Sequence, residues 1–165
     1  MERLKLISFD PASLKEAQEL IPVVQTEIDK AAEAAKKTAE EKAAAEKAAQ
    51  RRTWFYTLDK YYSEFKELDD EAGLTARIFL GPVVAKMNTM QKNIVAYCNS
   101  HTGMQPTELD AMRQSLSNYV SNKYKAMYYF ALEDESAFLG YLILTEVFEQ
   151  DYLKQREIVA KRYGF

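Results

Sequence analysis

Apolar residues recur along this chain at helical spacing, and no run alternates in the manner of a strand beyond a faint Leu4, Leu6 pair. Ser8-Phe9-Asp10-Pro11 predicts a helix start, with Asp10 as N-cap and Pro11 in the first helical position. Leu14, Ala17, Leu20 and Ile21 then form a stripe. Pro22, lacking an N–H, is expected to kink the chain or divide two helices.

Val23 to Leu68 contains neither Gly nor Pro and predicts one very long helix with two unlike halves. The first, about Glu27 to Ala49, is rich in Ala, Lys and Glu. Opposite charges four apart (Glu33–Lys37, Lys36–Glu40, Lys37–Glu41, Lys42–Glu46) each favour helix by a few tenths of a kcal/mol. A heptad-like seam runs through Val24, Ile28, Ala31, Ala35, Thr38, Lys42, Ala45 and Ala49, which makes a weak coiled coil of alanines with one lysine in it. The pattern changes at Trp54. Trp54, Phe55, Leu58, Tyr61, Tyr62, Phe65 and Leu68 share one broad face, and that face does not extend back into the Ala-rich half. A helix that docks at its C-terminal end and projects, or pairs with another chain, at its N-terminal end follows from this contrast.

Asp69-Asp70-Glu71-Ala72-Gly73 is expected to end this helix, with Gly73 in the left-handed turn. A short helical piece over Leu74 to Leu80 precedes Gly81-Pro82. Val83, Met87, Met90, Ile94 and Tyr97 predict an amphipathic helix over 82–99, and Asn99 to Pro106 is the clearest loop. The next helix starts at Thr107 and carries the stripe Leu109, Met112, Leu116, Val120, Tyr124, Met127 and Ala131. Glu133 to Glu135 mark a turn, with Ser136 as candidate N-cap. The last helix is expected over 137–162. Its apolar opening, Ala137 to Leu144, reads as buried on most sides, and Gly164 ends it. The expectation is an all-α bundle of about four substantial helices in one domain, with a helical arm over 10–50 and the bundle core over 51–165.

At 165 residues, 47% of them hydrophobic and 28% charged, the chain is long enough for a real core. The net charge of −3 gives no basic footprint for nucleic acid. A single cysteine cannot form an internal disulfide and fits a reducing compartment. Met1 to Phe9 lacks a signal-length apolar core, and Ala137 to Leu144 is too short to cross a bilayer. The resulting expectation is a cytoplasmic protein.

Candidate chemistry is sparse. One histidine cannot supply the two Glu-x-x-His motifs of a di-iron bundle. His101 follows Cys98 by three residues, yet no further Cys or His completes a zinc site. Cys98 near a helix C-terminus disfavours thiolate, so a buried thiol beside a loop imidazole is the expectation. Gly-rich phosphate loops, Gly-x-Ser-x-Gly and His-Glu-x-x-His are absent. Asp69 to Glu71 sit at a helix C-terminus, where negative charge is unfavourable; a solvated turn is the default and a cation or basic-partner site the alternative. A helical enzyme for an anionic substrate needs convergent cations, for which Arg77, Lys86, Arg113 and Lys123 are the candidates. Lys47, Arg51 and Arg52 beside Trp54 and Tyr56 combine charge with aromatics in the manner of single-strand binders, but among neighbouring glutamates.

Tyrosine is the most informative surface residue. Among 11 in the chain, Tyr129 falls opposite Val120 with Ser115, Asn118, Asn122 and Lys125, and Tyr56 lies opposite Leu58. Amphipathic aromatics are enriched at interfaces. The sequence therefore points to a non-enzymatic interaction or assembly protein with no cofactor, metal, nucleic-acid or membrane partner. Its partner is a second copy or another protein, and its partner-binding residues are Ile28, Ala31, Ala35, Ala45, Ala49, Tyr56, Asn122 and Tyr129. A small inhibitor or immunity-type protein, and a histidine-independent helical enzyme, are the alternatives.

Overall fold

The computed structural model describes Pro11 to Phe165, with side chains described at Lys15 and from Gln18 onward. Leu4, Leu6, the Asp10 cap, Leu14 and Ala17 lie outside the described residues and side chains. The described chain is all-α: helix α1 (Pro11–Leu74), a 3-10 turn (Arg77–Phe79), α2 (Leu80–Ser100), α3 (Thr107–Ala131) and α4 (Glu135–Tyr163). Two compact units divide between Lys47 and Ala48.

In the first unit, α1 runs unbroken through Pro22, where the sequence predicts a kink or a division. The proline deprives only the Gln18 carbonyl of its helical donor, and on a fully exposed helix water supplies that bond. Thr26 Oγ1 donates to the Pro22 carbonyl at 2.7 Å across the same turn. Every side chain described between Gln18 and Gln50 is exposed. The ion pair formed in this stretch is Glu27–Lys30, at 2.8 Å.

In the second unit, the later half of α1 and helices α2 to α4 bury a single core. Phe55, Leu58 and Phe65 of α1 meet Met87 and Ile94 of α2, Leu109, Met112, Leu116, Tyr119 and Val120 of α3, and Tyr152 and Val159 of α4. The stripes expected on α2 and α3 are the ones buried, with Met90, Tyr97, Tyr124 and Ala131 at their margins.

Two helix ends differ from expectation. Gly73 is helical, and α1 closes one residue later through Thr75, whose hydroxyl donates to the Glu71 carbonyl at 2.6 Å. The N-cap of α4 is Asp134, whose carboxylate accepts from the Ala137 N–H at 3.0 Å, and Ser136 lies inside the helix. Glu133, in a left-handed conformation (φ 64°), turns the chain just before Asp134, and the helix begins two residues earlier than expected. Gly164 does end α4 in the left-handed region, its N–H bonding to the Ala160 carbonyl at 2.9 Å.

Candidate interaction surfaces

Positions on α1 that face one way at heptad spacing are exposed. Val24 and Ile28 are about half exposed (53% and 54%), as are Leu20, Ile21 and Val23. Ala31, Ala35, Ala45 and Ala49 continue that stripe, all exposed. An isolated helix of this composition buries almost nothing, and aliphatic side chains this exposed keep an unfavourable contact with water.

Tyr56, on the later part of α1, is also exposed. Its ring packs edge-on against Phe55, lies 6.2 Å from Phe165, and holds the Arg52 guanidinium 5.8 Å from its centroid. The neighbouring basic and aromatic residues do not form one surface. Arg51 stacks over Tyr163 at 5.0 Å, and Trp54 is partly buried against the core.

Asn122 and Tyr129 of α3 are half-buried. Asn122 donates to the Asn118 carbonyl at 2.8 Å. Tyr129 stacks flat on Tyr141 of α4, with centroids 5.5 Å apart and planes at 4°, so its ring belongs to the seam between α3 and α4. Taking Val120 as the only core direction places Tyr129 outside, whereas α4 covers a second face of α3.

That second contact leaves an unexpected face on α4. Its opening turns are not buried on most sides: Leu139 (51%), Ile143 (67%), Leu144 (44%) and Val147 (52%) are exposed. The segment is apolar nearly all round, so one side serves the bundle and the other meets solvent. Leu74, Ile78 and Phe79 form a second exposed apolar group at the α1–α2 connection.

The candidate cations are held by carboxylates or carbonyls of the chain. Arg113 is buried, bonded to Asp110 at 2.7 Å and to the Cys98 carbonyl at 2.8 Å. Lys123 meets Asp69 at 2.8 Å, Lys86 meets Glu71 at 3.0 Å, and Arg77 donates to the Phe130 carbonyl at 3.0 Å beside Glu133. The four candidate cations are thus held by separate partners. Arg113 and the Phe130 carbonyl that holds Arg77 stand about 25 Å apart along α3. Two members of the acidic run at the end of α1, Asp69 and Glu71, find basic partners within the chain, which offsets the unfavourable helix dipole there.

Cys98 is buried, and burial pushes its thiol up to about 11, with the Arg113 charge only partly opposing. His101 stacks on Tyr97 at 4.2 Å, and its Nδ1 lies 2.9 Å from the Tyr97 carbonyl oxygen. The single histidine caps its own helix end. Among the described residues no group of His, Cys, Asp and Glu is arranged to hold a metal ion, and no helix is long and apolar enough to cross a membrane.

No known protein family, curated protein or solved structure matches this chain.

Proposed function

We propose that this is a non-enzymatic interaction or assembly protein that works through helical surfaces. One observation carries this reading: from Gln18 to Gln50, helix α1 exposes every side chain, including a run of aliphatic residues from Leu20 to Ile28. A partner that covers this face removes aliphatic surface from water, at roughly 25 cal/mol per Å2 buried. The charged side chains favour the same reading in a second way. The cations that an anionic substrate needs are already held, each by its own carboxylate or carbonyl.

The inhibitor reading draws on a different feature, the exposed Leu139, Ile143, Leu144 and Val147 of α4, which belong to the compact unit and not to the arm. The two readings differ in stoichiometry. Light scattering over a wide concentration range tests them on the intact chain. A defined homo-oligomer is the expected result for an assembly protein. A strict monomer at every concentration overturns self-assembly and leaves α4 as the surface for a foreign target.

A further inference from the structure

Resting on that assembly reading, we infer that the exposed half of α1 pairs with the same segment of a second copy of this chain, antiparallel, about a two-fold axis between Lys36 and Lys37. Three features of the segment select this occupant and orientation.

Side-chain size comes first. The exposed seam is large at one end, with Val24 and Ile28, and small at the other, with Ala45 and Ala49. In antiparallel helices, a and d positions of opposite copies share layers. A two-fold axis between 36 and 37 sets Val24 against Ala49, Ile28 against Ala45, and Ala35 against Thr38. Each large side chain then meets a small one, and the volume per layer stays even along the seam. Parallel pairing would stack Ile28 on Ile28 and Ala45 on Ala45, leaving one end crowded and the other void.

Charge selects the same orientation. Over 18–36, Glu19, Glu27, Asp29 and Glu33 outnumber Lys30 and Lys36, for a net −2. Over 37–55, five cations outnumber Glu40, Glu41 and Glu46, for a net +2. Antiparallel copies lay the acidic half on the basic half, whereas parallel copies oppose like to like.

Lys42 decides between them most sharply, because it lies in the seam itself. In a parallel pair two Lys42 ammoniums face each other across the axis. In the antiparallel pair each Lys42 faces Ala31, with Glu27 of the other copy one turn away. Alanine fills the flanking positions of the middle layers (Ala32, Ala34, Ala39), so the two backbones can approach closely about the axis, while Glu27, Glu41 and Glu46 flank the seam towards its ends.

Spin-label distances on the full chain test this. Thr26 and Lys47 lie on the outer side of the seam and are related by the proposed axis; each is replaced by a labelled cysteine (Thr26→Cys, Lys47→Cys) in a Cys98→Ala background. Antiparallel pairing places like labels about 30 Å apart along the axis and brings the two positions level when the singly labelled chains are mixed. Like-label distances that are long, with a shorter distance appearing only on mixing, support the pairing. Short like-label distances mean a parallel pair and overturn the orientation while leaving assembly intact. A dimer with no defined label distance associates through another surface and overturns the site. A monomer overturns the pairing together with the assembly reading.

Discussion

The Lys123 ammonium of α3 lies 2.8 Å from the Asp69 carboxylate of α1, with both side chains largely withdrawn from solvent. Lys66 approaches the same carboxylate at 3.5 Å and reaches Glu149 of α4 at 3.1 Å, while the Tyr62 hydroxyl donates to Glu149 at 2.8 Å. Burial acts to lower the Lys66 ammonium, yet its bond to Glu149 and the two carboxylate charges outweigh it and hold it above its usual range. Three helices are joined by one polar network at the edge of the core.

Truncating Asp69 leaves the Lys123 ammonium largely withdrawn from solvent and without its carboxylate. Asp69→Ala is expected to destabilise the bundle by about 3 kcal/mol, in keeping with other buried pairs broken on one side. Adding Lys123→Met to Asp69→Ala restores much of that loss. Urea unfolding of both single variants and the double variant measures the coupling; additive losses contradict it.

Tyr119 is fully buried, stacked edge-on against Phe65, and its hydroxyl finds no hydrogen-bond partner in the protein. Tyr119→Phe removes an unsatisfied polar group and keeps the ring, so it is expected to raise stability by about 1 kcal/mol. A loss of stability in thermal unfolding contradicts this.

Alkaline pH acts on the same core. Burial raises the folded Cys98 thiol from 9.0 to about 11 and, with nearby carboxylates adding to it, raises the Tyr119 and Tyr152 phenols as well. Between the unfolded and folded values the folded state holds more protons, so stability falls as pH rises. The contribution of these groups is complete below pH 9, and the urea midpoint is expected to drop as pH passes from about 9 to 11 and beyond. Tyr119→Phe shallows that drop.

The helices were legible because burial on one side leaves a 3.6-residue period, as in Leu109, Met112, Leu116 and Val120. Partners distant in sequence were not. Nothing near Asp69 announces that Lys123 will reach it from α3, so an acidic run at a helix end reads as solvated. Ala137 to Leu144 is apolar on all sides and carries no sign of which side faces in, and Tyr129 was misplaced for the complementary reason. Pro22 and Gly73 follow strong local rules that an exposed helix and a hydroxyl cap overrode. The seam of α1 is exposed, as its composition implies.

The cap of α4 separates local reading from structure. Asp134→Ala is expected to cost about 1 kcal/mol, the usual worth of an N-cap carboxylate, and Ser136→Ala close to nothing. The reverse ranking in chemical denaturation restores Ser136 as the cap.

Ile143 gives an equally direct comparison. At 67% exposure, Ile143→Ser should change stability by less than about 0.5 kcal/mol, whereas Phe55→Ala, at 2% exposure, should cost about 3 to 5. A large loss from Ile143→Ser would mean that this face of α4 is covered.

Hydrogen exchange on the intact chain, followed by mass spectrometry at low and high protein concentration, reads the arm directly. Pairing through α1 predicts that amides over 18–50 exchange slowly at high concentration and lose that protection on dilution, while α2 and α3 stay unchanged. Fast exchange over 18–50 at every concentration, beside a fully protected bundle, contradicts the assembly role of this helix.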